Sequence, residues 1–299
     1  MAGDEHGWER WTWDPTLFEG TAEHYVQGRL PWAPGFGAAL ADAVGLDGSG
    51  RLLDVGCGPG TVALELAPWF DEVVGLDADA GMIAVAAERA RQLGVDSARW
   101  VEGRAELLPA RLGTFRVVTF AASFHWMDRP LVATLARAML DPGGVVVQVT
   151  APTYLVPDGQ GVNPPPPDEA VDDLRRRYLG DERRAGQSLR TTSPSGEDAV
   201  FRAAGFAPMR EVLVPDGRLL TRTADDLVAS VLSMSSTAPH LFGDRLGAFE
   251  ADVRAVLAAA SPSGRFDVVL PDTTLRIWTV PDVDAPGGAG DGRSPGGPD

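Results

Sequence analysis

The sequence contains no lysine, and all 26 of its basic residues are arginine. Its 42 acidic residues outnumber them, so the formal net charge is −16. A strongly acidic chain is a poor partner for phosphate backbones, because that binding depends on Lys and Arg contacts. The densest basic stretch, DDLRRRYLGDERR, is interrupted by acids and is typical of a solvated helix face. The composition therefore argues against a nucleic acid substrate.

Cysteine occurs once, at Cys57, so no internal disulfide can form. No apolar run approaches the roughly 18 residues that a membrane helix needs. The opening MAGDEHGWERWTWDP lacks both the basic and the apolar region of a signal peptide. These absences predict a soluble, cytoplasmic protein without a membrane partner.

Two kinds of apolar segment alternate between residues 36 and 150. Short runs such as RLLDVG and EVVGLD predict buried strands. AGMIAVAAERARQL places apolar residues at helical intervals and predicts a helix with Asp79 as its N-cap. Another helix, RPLVATLARAML, is predicted to stop at DPGG, before the strand VVVQVT. This alternation predicts an α/β fold with a doubly wound, mostly parallel sheet.

The pattern changes after this core. Proline-rich VPDGQGVNPPPPDE predicts a surface loop, because proline removes donors and fixes φ. A helix is predicted over 168–179, and the last stretch has too few apolar residues to fold. The predicted division is an N-terminal lid segment at 1–35, the core at 36–150, a cap insert at 151–195, the C-terminal half of the sheet with cap helices at 196–280, and a disordered tail at 281–299.

The N-terminal segment is rich in tryptophan. Trp8, Trp11 and Trp13 are spaced by three and two residues, which is not a clean helical stripe. They are predicted either to close over a substrate as an apolar lid or to be buried against the cap.

Three glycines within five residues follow the first predicted strand, in LLDVGCGPG. Gly56 suits a tight turn, Gly58 leaves room for a ligand, and Gly60 lets the next helix pack close to the strand. The spacing G-x-G-x-G differs from the dinucleotide fingerprint G-x-G-x-x-G, which argues against a nicotinamide oxidoreductase. Asp54 precedes the loop, and its carboxylate would repel a pyrophosphate but attract a cation. The loop therefore predicts a ligand that carries a positive group.

LLDVGCGPG resembles the first motif of the class I S-adenosylmethionine-dependent methyltransferases, whose cofactor carries an ammonium and a sulfonium. The motif order of this family continues over about residues 18–280. The resemblance implies a Rossmann-like sheet of seven strands with an N-terminal lid and a helical substrate cap. It also implies that Asp77 holds both ribose hydroxyls, since a carboxylate suits a vicinal diol, and that Met82 packs against adenine.

Further segments extend the resemblance around the cofactor site. EGRAELLP resembles the family segment that reads the adenine edge, and FEGTAEHYVQGR resembles the N-terminal segment near the methionine end of the cofactor. One departure is Arg104, which stands where the family often has an acid. The resemblance implies these cofactor-binding residues: Tyr25, Arg29, Asp54, Gly56, Gly58, Gly60, Asp77, Ala78, Met82, Ala105, Glu106 and Ala121.

His125 stands in AASFHWMD, just after strand four, where the resemblance implies that residues face the transferred methyl group. A neutral imidazole there could be the general base for a hydroxyl or could hydrogen-bond a carboxylate. His125 is therefore the candidate catalytic residue, and the alternative is a structural histidine. Trp126 is predicted to line a pocket wall. Methyl transfer from a sulfonium needs no metal, so none is predicted.

The segment AASFHWMD also limits the chemical class of the methyl acceptor. AASFHW lacks the Asn/Asp-Pro-Pro-aromatic motif of nucleic acid amino methyltransferases, and NPPPP at 163–167 follows strand five without an aromatic. FHW resembles family members that methylate carboxylates. These features favour O-methylation of a small molecule at a hydroxyl or carboxyl. A protein that binds S-adenosylmethionine without transferring a methyl, such as a cyclase or a regulatory subunit, stays open, as does the oligomeric state.

Overall fold

The computed structural model describes residues 13–152, 161–185, 188–189 and 196–281. Trp8, Trp11 and all but the first residue of the predicted tail lie outside these ranges. In chain order the described strands are β1 (Arg51–Val55), β2 (Glu72–Asp77), β3 (Ala98–Glu102), β4 (Phe115–Ala121), β5 (Leu140–Thr150), β6 (Arg184–Ala185), β7 (Ser188–Leu189), β8 (Arg210–Val214), β9 (Leu219–Thr223), β10 (Arg265–Val269) and β11 (Thr273–Thr279). The described α-helices are α1 (Ala22–Gly28), α2 (Phe36–Val44), α3 (Thr61–Leu66), α4 (Ala80–Leu93), α5 (Arg129–Ala138), α6 (Asp168–Leu179), α7 (Glu197–Ala203), α8 (Ala224–Leu232) and α9 (Leu246–Ala260). No helix in these ranges is long and apolar enough to span a bilayer.

Seven strands form one sheet in the order β3-β2-β1-β4-β5-β11-β8. The strands from β3 to β5 in this order pair in parallel. β11 runs antiparallel to both of its neighbours, β5 and β8. The strand order reverses at β1, so the carboxyl ends of β1 and β4 form the switch point of a doubly wound sheet. The predicted mostly parallel, seven-stranded sheet is confirmed.

The sheet is buried on both faces, because successive residues of a strand point to opposite sides. In β1, Leu53 belongs to an apolar cluster that includes Val132 of α5 and Phe201 of α7. Its neighbour Leu52 belongs to a second cluster, with Leu66 of α3 among its members. These two layers explain why the strands read as nearly continuous apolar runs.

A third apolar cluster forms the cap. It joins Leu174 of α6, Val228 of α8 and Phe249 of α9 to Phe266 of β10. α6 occupies the residues predicted for a helix after the proline-rich loop. The cap is not wholly helical, because β9 and β10 pair antiparallel within it. The paired residues are far apart in sequence, so no local pattern marks this pairing.

The prediction that DPGG separates a helix from the following strand is wrong. α5 ends at Ala138 and β5 begins at Leu140, so DPGG belongs to the strand instead of preceding it. The β4–β5 register shifts between Phe115 and Val117, and Gly143 has a φ of +77°. Glycine adopts this left-handed backbone without steric cost, which allows the irregular start of β5 to pair with β4.

Candidate functional site

The glycine loop leaves the carboxyl end of β1, the edge where ligands bind doubly wound sheets. The N–H groups of Gly56 and Cys57 donate to the Leu76 carbonyl at 2.7 and 3.1 Å, which ties the loop to β2. Gly56 and Gly58 have φ values of +68° and +52°. This left-handed backbone favours glycine strongly, so the sharp turn depends on these residues.

The three glycines differ in their surroundings. A Cβ on Gly60 would lie 2.5 Å from Trp100 of β3, so this glycine permits close packing against the sheet. A Cβ on Gly56 would lie 2.6 Å from the Cβ of Ser123. A Cβ on Gly58 would have no neighbour within 4 Å. Gly58 is therefore the glycine whose backbone a ligand can approach.

Asp77 ends β2 next to this loop. Its Oδ2 accepts a hydrogen bond from the Gly58 N–H at 2.8 Å, and its Oδ1 accepts one from the Asp79 N–H at 2.9 Å. Burial raises the pKa of Asp77, although these hydrogen bonds oppose the rise. Each carboxylate oxygen has two lone pairs, so each can accept a further hydrogen bond from a ligand.

Asp77 lines a cavity of about 100 Å³, here called the small cavity. Its walls come from residues 13–18, the glycine loop, the ends of β2 and β4, and residues 103–106. Met82 is buried in this wall, and its N–H donates to the N-cap Asp79 at 2.9 Å. The small cavity gathers nine of the twelve residues implied to bind the cofactor: Tyr25, Gly56, Gly58, Asp77, Ala78, Met82, Ala105, Glu106 and Ala121.

A second cavity of about 500 Å³, here called the cap cavity, lies between the glycine loop and the cap. α1, α6, α8 and α9 all contribute to its wall. α1 and α8 approach so closely that a Cβ on Gly28 would lie 2.4 Å from the Ala229 carbonyl oxygen. The two cavities share the lining residues Tyr25, Gly56, Gly58, Ala121 and Ala122. They therefore meet at the glycine loop and the end of β4.

Arg29, Asp54 and Gly60 are the implied cofactor residues that do not line the small cavity. Arg29 lines the cap cavity, donates from Nη2 to the Ser233 carbonyl at 2.7 Å, and has its guanidinium carbon 4.8 Å from the Tyr25 ring centre. Gly60 lines neither cavity and serves packing against Trp100.

Asp54 lies behind the loop and lines neither cavity. It pairs in register with Thr119 of β4, is fully buried, and accepts a hydrogen bond from the Thr119 hydroxyl at 2.7 Å. Its Oδ2 has no hydrogen-bond partner among the described residues, and burial raises its pKa to about 7. The Asp54 side chain is therefore buried between the two strands and does not lie on a wall of either cavity.

Asp54→Asn should change how stability depends on pH. Folded Asp54 ionises near pH 7, whereas an unfolded aspartate ionises at about pH 3.9. The unfolded state therefore releases its proton first, and this residue lowers the free energy of unfolding as pH rises through that window. The decrease is about 4 kcal/mol at most, from roughly three pKa units at about 1.4 kcal/mol each.

Urea unfolding of both proteins between about pH 4 and pH 8 measures this effect. The free energy of unfolding of the asparagine variant should rise relative to wild type by that amount across the window. Parallel profiles would show that the Asp54 carboxyl does not titrate with a raised pKa.

His125 occupies the 3₁₀ turn Phe124–Trp126 after β4. Its ring centre lies 4.6 Å from that of Trp126, and its side chain lines neither cavity. Trp126 lines the small cavity and meets Phe18 edge to face at 5.7 Å. The structure thus brings Trp126, and not His125, to a cavity wall.

The N-terminal segment contributes Trp13, Asp14, Pro15, Leu17 and Phe18 to the wall of the small cavity. The guanidinium carbon of Arg104 lies 4.9 Å from the Trp13 ring centre, and Arg104 forms an ion pair with Glu106 at 3.4 Å. The arginine that departs from the family pattern therefore contacts the N-terminal segment where it lines this cavity. Trp13 lines the small cavity. The sequence predicts that the tryptophans either close over a substrate or are buried against the cap, and neither alternative specifies this cavity.

Of the arginines that line the cap cavity, the sequence predicts only Arg29 as a site residue. Arg175 lies in the stretch interpreted as a solvated helix face, yet it is buried on this wall. Arg222 is also buried on the wall, whereas Arg218 in the same short segment is half exposed. The non-local pairing of β9 with β10 and the contact with α1 help to bury Arg222, and no local sequence pattern marks either of them.

The strand order, its reversal at β1 and the glycine loop at the carboxyl edge define a Rossmann-like, ligand-binding α/β domain. Residues 52–144 match the model of a family described as a methyltransferase domain. Residues 52–144, which run from β1 into β5, are therefore similar to a methyltransferase domain.

Similar proteins are found among curated sequences and solved structures. The chain is 32% identical over 159 residues to an uncharacterized methyltransferase, YcgJ of Bacillus subtilis, across 52% of this chain and 57% of that protein. It is 31% identical over 172 residues to a probable methyltransferase, ltbC of Aspergillus luteorubrus, across 52% and 56%. The matched region thus spans a little over half the length of these relatives. The crystal structure of YcgJ aligns with a TM-score of 0.49 and 20% identity, over 82% of this chain and 98% of that chain.

Proposed function

We propose that the protein is an S-adenosylmethionine-dependent methyltransferase that O-methylates a small molecule. The observation that carries this proposal is the meeting of the two cavities at Gly58, since one of them gathers the implied cofactor residues. A cofactor in the small cavity and an acceptor in the cap cavity would have their reacting ends at one place. Holding two reactants in this way can remove about 7–11 kcal/mol of a bimolecular barrier.

The residues of the small cavity fit an adenosyl group. Gly58 leaves empty space against the loop backbone, Asp77 can accept from vicinal hydroxyls, and Met82 offers apolar surface to a flat ring. Tyr25 stands at the junction of the cavities, and Arg29 beside it supplies a positive charge for the carboxylate of the methionine end. When bound, S-adenosylmethionine supplies an electrophilic methyl group on its sulfonium.

The chain's own contribution is to orient the reactants and to exclude water. The N-terminal segment forms part of the wall of the small cavity, while α8 and α9 form walls of the cap cavity. Removing water from the junction strengthens every electrostatic contact there. The volume of the cap cavity, about 500 Å³, suits a small-molecule acceptor.

Two aspartates on the cap cavity, Asp168 and Asp172, could act as a general base, but Asp172 is paired with Arg175 and Arg183. Cys57 also lines this cavity, but burial raises the pKa of this thiol well above its ordinary value, so it stays neutral. No histidine lines it among the described residues. A carboxylate is already ionised at neutral pH and requires no proton removal. O-methylation at a carboxyl group therefore needs no base, whereas methylation at a hydroxyl would need one of the two aspartates to remove the proton.

Incubation with S-adenosylmethionine that carries a trideuterated methyl group tests the proposal. A panel of carboxylic acids and alcohols serves as acceptors, and mass spectrometry detects labelled products. Labelled methyl esters or ethers support the proposal. Label found only on nucleic acid or protein would contradict a small-molecule acceptor. Tight cofactor binding without any labelled product would identify a binding protein that does not transfer the methyl group.

We expect His125→Ala to leave turnover of the acceptor found in this way within about threefold of wild type, because a general base must reach the proton that it removes and His125 lines neither cavity. Steady-state kinetics measure turnover, and calorimetry with S-adenosylhomocysteine checks that the cofactor site is intact. A fall of roughly 10²–10⁴ at unchanged cofactor affinity is the size of a lost general base and would support the catalytic role predicted from the sequence.

A further inference from the structure

The cap cavity carries positive charge inside an acidic protein. The chain has a formal net charge of −16, yet four arginines and only two aspartates line this cavity. These charged lining residues are Arg29, Arg175, Arg183, Arg222, Asp168 and Asp172. A cavity lined by an excess of one sign of charge concentrates ligands of the opposite sign.

Two of these arginines are committed to one carboxylate. Asp172 accepts from Arg175 Nε at 2.8 Å and from Arg183 Nη2 at 3.2 Å, and it pairs with Arg176 Nη2 at 2.7 Å. Burial alone would raise the pKa of Asp172. The hydrogen bond from Arg175 and the charges of the three arginines outweigh this effect, so the pKa is lowered. Arg175 also donates to the Gly180 carbonyl at the end of α6, at 3.0 Å. These side chains therefore stabilise α6 and the turn after it.

Among the described residues, Arg222 of β9 has only one, long ion pair. It is 6% exposed, and the nearest described carboxylate oxygen, Asp226 Oδ2, lies 4.0 Å from its Nε. Its Nη2 donates to the carbonyls of Gln27, Gly28 and Asp226 at 3.0, 3.0 and 2.9 Å. Nη1 makes no hydrogen bond to a described residue, although a guanidinium has five N–H groups to satisfy. Arg222 therefore has donors left, and it lines the cap cavity.

Asp226 supplies only part of the counter-charge of Arg222. Its Oδ1 accepts from Gln27 Nε2 at 3.0 Å, and its Oδ2 accepts from the Thr223 N–H at 2.9 Å in the capping box of α8. Burial lowers the pKa of Arg222, and Asp226 offsets this only in part. A buried cation is costly when its counter-ion is as distant as Asp226 is here, at 4.0 Å, and a ligand anion would lower that cost.

Much of the remaining wall of the cap cavity is apolar and could contact the apolar part of a ligand. Side chains of α6, α8, α9 and β10 form this surface, namely Val171, Leu227, Val231, Val253, Leu257 and Val268. Burying apolar surface against such a wall stabilises a ligand in proportion to the area removed from water.

We infer that the acceptor is an amphipathic carboxylic acid, with its carboxylate held by Arg222 and its apolar body along α8 and α9. This inference rests on the proposed function. One guanidinium supplies one positive charge, which balances a carboxylate but not a phosphate dianion. Arg29 lies beside Tyr25 at the junction of the cavities, so it remains available for the cofactor.

Calorimetry with decanoate, decanol and decylamine tests the inference on the protein saturated with S-adenosylhomocysteine. The three probes share their apolar chain and differ in the charge of the head group. The wild type should bind decanoate about tenfold or more tightly than decanol, because a charge-assisted hydrogen bond replaces a neutral one. Decylamine should bind most weakly. Equal affinities for decanoate and decanol, or no binding of any probe, would overturn the inference.

Arg222→Gln keeps a donor for the α1 carbonyls but removes the charge, so the preference for decanoate over decanol should disappear. Arg222→Lys keeps the charge and should retain part of the preference. Arg218→Gln is the matched control, because Arg218 is half exposed, pairs with Asp216 and lines neither cavity. A preference that survives in Arg222→Gln, or that is lost equally in Arg218→Gln, contradicts the assignment.

The affinity for S-adenosylhomocysteine separates this inference from the proposed function. That affinity should be the same in Arg222→Gln as in wild type, and a large loss would assign Arg222 to the cofactor and overturn the inference. Failure of the wild type to bind S-adenosylhomocysteine would instead contradict the proposed function. The comparison of head groups in the wild type decides the question even if Arg222→Gln does not fold.

Discussion

Gly58→Val should abolish binding of S-adenosylmethionine and of S-adenosylhomocysteine. Gly58 lines both cavities where they meet, and no atom lies within 4 Å of a Cβ at this position. A valine side chain would therefore fill the space proposed for the cofactor, and its branched Cβ leaves it few ways to turn aside. We expect an affinity loss of at least about a hundredfold, which corresponds to about 3 kcal/mol.

Occlusion must be separated from strain, because Gly58 has a φ of +52° and a side chain there costs roughly 1–2 kcal/mol. Gly243 is a matched control: its φ is +54°, a Cβ there would also have no neighbour within 4 Å, and it lines neither cavity. Thermal unfolding should show comparable destabilisation in Gly58→Val and Gly243→Val. Calorimetry should show lost binding only in Gly58→Val. Equal affinities in the two variants would mean that the loop faces something other than the cofactor.

The parallel core could be predicted because each of its elements carries a local signal. β1 and β2 are short apolar runs that end in or near a turn, and both are buried almost throughout. α4 begins after Asp79, whose side chain accepts from the Met82 N–H as an N-cap should. DPGG shows where such signals are ambiguous, since the glycines that end a helix also suit the irregular start of a strand.

Side-chain direction limited what the sequence could reveal of the site. Asp54 and Asp77 both lie in strands next to the glycine loop, but Asp77 reaches a cavity and Asp54 faces Thr119 inside the sheet. His125 and Trp126 are neighbours, yet only Trp126 lines a cavity. Position after a strand indicates which edge of the sheet a residue occupies. The turn geometry that follows decides whether its side chain faces a ligand, and one sequence does not reveal that geometry.

The chemistry of the cap depends on contacts between distant parts of the chain. Arg222 donates to carbonyls of Gln27 and Gly28, which lie 195 and 194 residues away in sequence. Its strand, β9, pairs with β10, and α8 and α9 lie between these two strands in the sequence. An arginine in RLLTRT therefore looks like any surface residue until the fold brings α1 against it. The acceptor preference we infer could be reached only from the structure.

Asp77→Ala should weaken binding of S-adenosylhomocysteine by well over tenfold while the protein stays folded. A hydrogen bond to a charged group contributes roughly 1.5–3 kcal/mol, and the proposal gives Asp77 two such bonds to the ribose. Asp77 also holds the Gly58 N–H at 2.8 Å, so the alanine variant could lose affinity through a displaced loop as well. Calorimetry on the single variant measures the total loss without separating these causes.

Asp71→Ala controls for the general effect of removing a carboxylate that holds a glycine amide. Asp71 Oδ2 accepts from the Gly50 N–H at 2.8 Å, and Asp71 lines neither cavity. This variant should bind S-adenosylhomocysteine as the wild type does. Equal losses in Asp71→Ala and Asp77→Ala would point to a general destabilisation instead of a lost ligand contact.

A deoxy analogue of the ligand separates the ribose contact from loop positioning. The wild type should bind 2′-deoxy-S-adenosylhomocysteine about tenfold more weakly than the parent compound, because one charge-assisted hydrogen bond is missing. Asp77→Ala should no longer distinguish the two compounds, since the acceptor for that hydroxyl is gone, and the double difference measures the contact itself. If Asp77→Ala still discriminated tenfold, another residue would hold the ribose, and Asp77 would act only by fixing the loop at Gly58.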